Sequence, residues 1–487
     1  MSVTFVDLFC GAGGSSTGLV EAGYELLLAA NHLPIAIETH SANHRNAEHL
    51  CADVSQYDMR RLPRADVLWA SPICTEISPA GGRKRRHKPM TGQTVLDGFE
   101  LPDGALERTR ATFWDVLRAA EVWRYKAVMC ENVVEALDWE LFDVWLAGMH
   151  RLGYSSQIVS ASSAHLGDLD NAPAPQWRDR IYVVFVQEGM RKPDLEPRPA
   201  AHCEHCGDVH AFQSWRNGKR WGKYRQQYDY RCPSCKRIVE PYVRPASSII
   251  DWSNLGTRIG DRARPLAEAT MNRIRAGLTA YPSDPTLLTV NHSGHEGRAT
   301  PAAAAPLASR TAKIGDGVLV PSGAFYVKNY GGQAQPKHMV HPIGNPFGVV
   351  TANDSHSLVV PPQSDDSFVV TLRRNGTANP VTGPLTGVSA GGNHHGLVVP
   401  YRKGSAKPAS DPMLTLGTRD SAGLVRPAID VEDCYFRMVQ PREQLLAQRF
   451  PTDYIVHGNK GEQTMQAGNA VSVNVARWIG SRLAPIL

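Results

Sequence analysis

No stretch of this 487-residue chain approaches the roughly 18 consecutive apolar residues of a membrane-crossing helix. The opening residues, MSVTFVDLFCGAGG, lack the charged flank and cleavage site of a secretion signal. No membrane partner is expected from either feature. Strong net charge is also missing: 52 Lys and Arg against 47 Asp and Glu leave +5. The chain as a whole is therefore not a basic glove, and any nucleic-acid footprint must be local. Cysteine is sparse, nine residues unevenly spread. An odd, scattered set excludes a disulfide framework and points to a reducing cytoplasm. A composition that is 42% hydrophobic and 20% charged is globular, and the length predicts two or three domains.

What is present has a clear order. Strands are expected at 3–7, 24–30, 66–70, 127–131 and 180–186, and helices at 15–22, 35–43, 109–124 and 139–152. Strand and helix in alternation imply an open, mostly parallel, doubly wound sheet. Ligands of such sheets sit beyond the carboxyl ends of the strands, where Asp7, Cys74 and Glu131 fall. Residues 187–246 are crowded with Arg, Lys, Trp and Tyr. A helical look resumes over 247–278. Residues 285–428 are rich in Gly, Pro, Thr, Val and His, and carry a loose repeat ending in GVLVP, SLVVP, GLVVP and GLVRP. Short β segments with Pro and Gly turns are expected there. Helical patterns are expected again from 435 to 487.

The stretch Asp7-Leu-Phe-Cys-Gly-Ala-Gly-Gly14 follows a strand and opens a helix. Glycines at that place permit a tight turn and close backbone approach to a ligand. The spacing is not GxGxxG and no lysine follows, so the loop is neither a dinucleotide fingerprint nor a P-loop. Asp53-Val54 stands where an adenine ring would be met at the next strand end. Cys74 lies in ASPICTEISPAG, after an apolar run and before the basic segment 83–88. A core thiol needs no such setting, whereas a nucleophile that meets a polyanion does.

Cys203-x-x-Cys206 and Cys232-x-x-Cys235 are separated by 25 residues. Four thiolates in two such turns suit a tetrahedral structural zinc ion, with His202, His205 and His210 nearby but not required. Between the pairs, Trp215, Arg216, Lys219, Arg220, Trp221, Lys223, Tyr224, Arg225, Tyr228 and Tyr230 interleave cations with aromatics. That pattern predicts contact with a DNA backbone and some stacking, with a purely structural hairpin as the alternative.

Five motifs in order resemble those of the DNA (cytosine-5) methyltransferases. They are DLFCGAGGSSTGL; Pro72-Ile-Cys74 with Ser78 and Ala80-Gly81; Glu131-Asn-Val133; Gln176-Trp-Arg-Asp-Arg180; and Gln466-Ala-Gly-Asn-Ala-Val471. Arg437, Glu443 and Arg449-Phe-Pro451 resemble a diverged version of the motif before the last. The resemblance covers roughly 1–186 and 430–487. It departs at Ile73, where the family often has Pro, and at Thr75, where Gln is usual. Asn31-His32 stands where an acidic ribose contact is usual, and Glu38 comes too late.

The resemblance implies a Rossmann-like, doubly wound class I methyltransferase domain (1–186), a zinc ribbon insertion (187–246), a β-rich target-recognition region (247–429) and a C-terminal segment completing the catalytic domain (430–487). It implies methyl transfer from S-adenosylmethionine to C5 of a cytosine flipped out of duplex DNA. Cys74 would add to C6, Glu131 would hold or protonate N3, and Arg178 and Arg180 would bind the ring carbonyl and brace the loop. Asp7, Phe9, Cys10, Gly11, Ala12, Gly13, Gly14, Asn31, Asp53, Val54, Asn469 and Val471 would surround the cofactor. Segment 83–88 would close over DNA, and Arg373, Arg374, Asn375, Asn393, His394 and His395 would read its sequence. A restriction endonuclease would be its partner, or none, as for an orphan or phage enzyme. An RNA cytosine methyltransferase, a C5 transferase for another group and a non-catalytic DNA-binding protein are the competing readings.

Overall fold

The computed structural model describes residues 2–73, 103–266 apart from positions 217, 250, 252 and 255, and 431–487. It also gives short strands and isolated positions in 95–100 and 268–424. Cys74, Thr75, Ser78, Ala80, Gly81, segment 83–88, Arg373, Arg374, Asn375, Asn393 and His394 lie outside the described residues. His395 is described in its backbone only, within the strand His395–Gly396.

A seven-stranded sheet organises the first part of the chain. Its strands are β1 (Thr4–Leu8), β2 (Glu25–Asn31), β3 (Glu48–Cys51), β4 (Val67–Ala70), β5 (Ala127–Asn132), β6 (Tyr154–Ser162) and β7 (Asp179–Gln187). The order is β3-β2-β1-β4-β5-β7-β6. The first five are parallel, and β7 and β6 close one edge antiparallel. Strand order reverses between β1 and β4, which places a ligand crevice beyond their carboxyl ends.

Central strands carry continuous apolar runs because both faces are covered: Val67–Ala70 and Ala127–Asn132 are buried throughout. One face packs on α3 (Asp103–Trp123) and α4 (Phe142–Arg151), where Phe113, Trp145, Met149 and Phe185 interlock. The other packs on α1 (Gly14–Glu21) and the distant α7 (Val473–Leu483) through Leu19, Val475, Trp478 and Ile479. A side chain at Gly18 would meet the Val473 carbonyl at 2.4 Å, so a glycine lets the two helices touch. Before α7 in the chain, the C-terminal segment adds α5 (Pro441–Leu446) and α6 (Lys460–Asn469).

Two edge strands, β3 and β6, were not expected. Their sequences, EHLC and YSSQIVSAS, lack an apolar run because an edge strand is only partly covered. The expected helical region 247–278 differs at its start, while Glu268, Met271 and Ile274 are helical as expected. Its described start takes 3-10 turns at Ala246–Ile249 and Ile259–Asp261 around a short strand, Thr257–Arg258. Gly256, Gly260 and Pro265 interrupt a helix there. The C-terminal segment opens on a strand, Tyr435–Met438, rather than a helix. It joins a sheet with Asp316–Val320 and His356–Val360, the strands of the first two repeat endings. The other two endings fall on Val398–Val399 and Gly423–Leu424, which pair with each other. Among the described residues, no helix is long and apolar enough to cross a membrane.

Candidate functional site

The glycine-rich turn is shaped by backbone demands. Phe9, Gly11 and Gly13 have φ of 61°, 52° and 88°, so the chain coils sharply between β1 and α1. Cys10 is buried and its amide donates to the Ala30 carbonyl, tying the turn to the end of β2. A Cβ on Gly14 would lie 2.0 Å from the Val471 carbonyl oxygen, and one on Gly13 2.6 Å from the Tyr454 hydroxyl. Tyr454 also donates to the Ala12 carbonyl. The C-terminal segment therefore seals the turn by close backbone approach.

Asp7 lies fully buried beneath it. The Ser15 and Ser16 hydroxyls both donate at 2.6 Å to one oxygen of its carboxylate. Burial still dominates and raises its pKa to about 7. Ser16 continues to His40 at 3.0 Å, and His40 to His49 at 2.9 Å; Thr17 meets His44 at 3.1 Å. Burial lowers the pKa of His40 well below the usual histidine range and that of His44 to about 4. A carboxyl, two hydroxyls and two imidazoles thus stand in one hydrogen-bonded network under the turn, with the His44 ring 4.7 Å from that of His40.

Along the rim, the Asn31 side-chain oxygen accepts from the Leu33 amide and starts α2 (Pro34–Asn43), while its carbonyl accepts from Ala52. Asp53 caps the following 3-10 turn, accepting from the Ser55 amide and from Gln56. Val54 is buried under that turn. Asn469 is exposed at the end of α6, and Val471 is buried against Gly14.

The other side of the crevice holds the candidate acid. Glu131, near the end of β5, is buried, and its carboxylate lies 3.2 Å from Arg180 Nε on the neighbouring β7. Asn132 donates to the Pro72 carbonyl at 3.0 Å, and Thr112 accepts from the Ile73 amide at 3.1 Å. These two bonds fix the chain at the residues just before Cys74. Arg178 is buried and donates to the carbonyls of Gly468 and Ala470, bracing the C-terminal motif. Arg180, not Arg178, is the arginine beside Glu131. Arg437 and Glu443 form a buried bidentate pair at 2.7 and 2.9 Å, which also receives the Asp251 amide.

The ribbon contains β8 (Ala200–Cys203), β9 (Gly207–His210), β10 (Phe212–Trp215), β11 (Tyr228–Arg231) and β12 (Glu240–Pro241). The four cysteine sulfurs lie within 4.8 Å of one another, with Cys203 and Cys235 3.5 Å apart. A tetrahedral zinc ion with Zn–S near 2.3 Å needs sulfurs about 3.8 Å apart, so the set fits. In each pair the second cysteine is followed by a residue with positive φ, Gly207 at 76° and Lys236 at 62°. His202 turns to Asp208, His205 to Arg237 and His210 to the Arg198 carbonyl, away from the sulfurs.

The expected stacking aromatics are corrected here. Tyr228 and Tyr230 are fully buried, and Tyr224 stacks on Trp177 at 5.6 Å, so the three form the ribbon's core. A segment this short has no other apolar core available. Arg216 is committed to Asp229 at 2.6 Å. Lys219 and Arg220 remain exposed, with Lys219 over the Trp221 ring.

Several contributors carry no motif signal: Tyr454, Thr112, the histidine cluster and Lys223. Tyr454, Thr112 and Lys223 each meet a partner far away in sequence. Only the run of glycines at 11, 13 and 14 hinted that something must approach closely.

The family model for C-5 cytosine-specific DNA methylase matches residues 3–210 and 386–484, more than half the chain. Type II methyltransferase M.AgeI of Thalassovita gelatinovora is 26% identical over 209 residues, covering 40% of this chain and 42% of that protein. Type II methyltransferase M.NlaX of Neisseria lactamica is 27% identical over 212 residues, covering 42% and 58%. The chain thus spans about half the length of these curated relatives. A solved mutant of Spodoptera frugiperda DNMT2 overlays with a TM-score of 0.47 at 12% identity, covering 100% of this chain and 99% of that one.

Proposed function

Because this chain belongs to the C-5 cytosine-specific DNA methylase family, we propose that it methylates C5 of cytosines flipped out of duplex DNA through a covalent Cys74 adduct. One observation carries the reading. Glu131, Arg180 and the anchored Pro72-Ile73 step converge at neighbouring strand ends, beside the sealed glycine-rich turn.

The chemistry follows from cytosine itself, whose C5 is a weak nucleophile. The Cys74 thiolate adds to C6, which consumes the C5–C6 double bond and, with a proton at N3, leaves a C4–C5 enamine whose C5 is nucleophilic. Glu131 meets N3 and delivers or holds a proton there as charge moves onto the ring. Arg180 fixes the Glu131 carboxylate and presents donors toward the ring carbonyl. S-adenosylmethionine, when bound, supplies an electrophilic methyl group. Loss of the C5 proton to a base then restores the double bond as the Cys74–C6 bond breaks. Bringing the base out of the stack costs a few kcal/mol, which DNA contacts must offset.

Phe9 to Gly14, Asn31, Asp53, Val54, Asn469 and Val471 would hold the cofactor. The turn fits it at Gly11, where a Cβ would meet nothing within 4 Å, and one oxygen of buried Asp7 makes no hydrogen bond to protein. With its own oxygen engaged by Leu33, Asn31 would meet a ribose through its amide group. Cys203, Cys206, Cys232 and Cys235 would hold a structural zinc ion. Segments 1–186 and 430–487 would form the catalytic domain and 187–246 the ribbon, with 247–429 reading the target sequence. The protein would work in the cytoplasm, with or without a restriction endonuclease.

Duplex DNA containing 5-fluorocytosine tests the adduct, because fluorine does not leave C5 as a proton does. A denaturation-resistant protein–DNA complex is expected for the wild type with S-adenosylmethionine and none for Cys74→Ala. A complex that persists in Cys74→Ala would refute this nucleophile.

A further inference from the structure

The ribbon reaches the catalytic sheet through Gly222-Lys223-Tyr224, aided by Gln213. The Gly222 amide donates to the Ser160 hydroxyl at 3.1 Å, and that hydroxyl donates to the Gly222 carbonyl at 2.7 Å. Gln213 donates to the Ser160 carbonyl at 2.8 Å. The Tyr224 amide donates to Asp179 at 3.2 Å. Lys223 pairs with Glu135 at 2.5 Å. The placement of these partners is specific. Ser160 lies opposite Ile181, next to Arg180. Asp179 immediately precedes Arg180. Glu135 lies in the 3-10 turn Val134–Asp138, which directly follows the Glu131-Asn-Val step. Three consecutive residues therefore grip three segments around the Glu131–Arg180 pair.

The grip is tied to the metal-ligand cluster. His165 is fully enclosed, with its ring edge-on to Trp177, Tyr224 and Tyr230 at 4.9, 4.5 and 4.9 Å. Trp177 belongs to the Gln176–Arg180 motif, and Tyr230 is two residues from Cys232. The tripeptide is itself rigid. The Lys223 amide donates to the Gln227 side chain at 2.7 Å, and a Cβ on Gly222 would lie 2.3 Å from the Gln227 Cβ. Asp179 is half-buried, and desolvation raises its pKa to about 6 against the opposing effect of the Tyr224 amide that donates to it.

We propose that the ribbon is a brace for catalysis: held by its four cysteines, it positions Arg180 and Glu131, with Lys223 and Tyr224 as the positioning residues. This rests on the methyltransferase reading. A misplacement of about 1 Å in a catalytic group can cost up to 10²-fold in rate. The ribbon should therefore act on the chemical step and not only on DNA affinity.

The test uses the full chain and unmethylated plasmid DNA tritiated at cytosine C5, following tritium release. Lys223→Ala and Gly222→Ala are expected to lower kcat roughly 10- to 100-fold, with the DNA KM nearly constant and the metal content unchanged. Lys223→Arg is expected to restore most of kcat. A second readout needs no DNA: hydrogen exchange at 131–135 and 178–182 is expected to quicken in Lys223→Ala and after chelation. A raised KM with unchanged kcat overturns the proposal and makes the ribbon a DNA reader. So does a Lys223→Arg variant as slow as Lys223→Ala, or exchange that stays constant. A wild type that releases no tritium would instead overturn the methyltransferase reading. The exchange measurement would then still decide whether the ribbon holds the Glu131–Arg180 pair.

Discussion

The two sides of the strand-end crevice are completed in different ways. On the glycine-rich side, a segment over 400 residues away seals the turn by close approach, with Val471 against Gly14 and Tyr454 against Gly13 and Ala12. There is no room for a Cβ. On the Glu131 side, the contacts are polar: Arg180 to Glu131, Asn132 to Pro72, Tyr224 to Asp179 and Lys223 to Glu135. A side sealed by close approach suits retention of a cofactor. A hydrogen-bonded side suits proton handling at a base that must enter and leave.

The sharpest way to break this contrast is to substitute Glu131. Glu131→Gln is expected to cut turnover by roughly 10²- to 10⁴-fold, typical of a lost acid–base group. Equilibrium dialysis should find cofactor binding little changed, because the cofactor side is built from other strands. Full activity in this variant would remove Glu131 from the chemistry.

Gly14→Ala probes the opposite side. With a Cβ 2.0 Å from the Val471 carbonyl, the C-terminal segment must shift. A loss of about 1–3 kcal/mol in stability is expected, typical of a forced steric misfit in a packed core. Denaturant titration measures it, and cofactor affinity should fall in parallel. A variant of normal stability would contradict the sealed turn.

A smaller effect tests the buried Asp7 carboxyl by pH. The pKa of Asp7 is raised in the fold to about 7, so the folded state holds a proton that the unfolded chain releases near pH 4. Its stabilising contribution is complete below about pH 4 and is lost as pH rises through about 7. His40 and His44, kept neutral by burial, act with the opposite slope. They oppose folding as pH falls below about 6.5. Thermal melts of Asp7→Asn against wild type isolate the carboxyl: the difference should favour the variant increasingly from pH 5 to pH 8. A constant difference would mean that Asp7 ionises normally.

The contrast also explains what the sequence made legible. Central strands and glycine turns are readable because burial on both faces demands continuous apolar runs, and positive φ favours glycine. β3 and β6 are not, because an edge strand tolerates Glu, His, Ser and Gln. The Cys-x-x-Cys pairs were read correctly as a cluster, since their spacing encodes a turn that converges on one point. Their aromatic neighbours were misread: a Tyr beside an Arg looks the same in sequence whether it stacks on a base or fills a core. Arg178 and Arg180, two residues apart, were assigned together, yet only the fold sends one to Gly468 and Ala470 and the other to Glu131.

Bisulfite sequencing of DNA from cells expressing the wild-type chain or Cys74→Ala tests the central claim most directly. The account predicts methylated cytosines in a fixed sequence context with the wild type and none with the variant. Unmodified DNA from wild-type cells, or the same pattern from both, would contradict it.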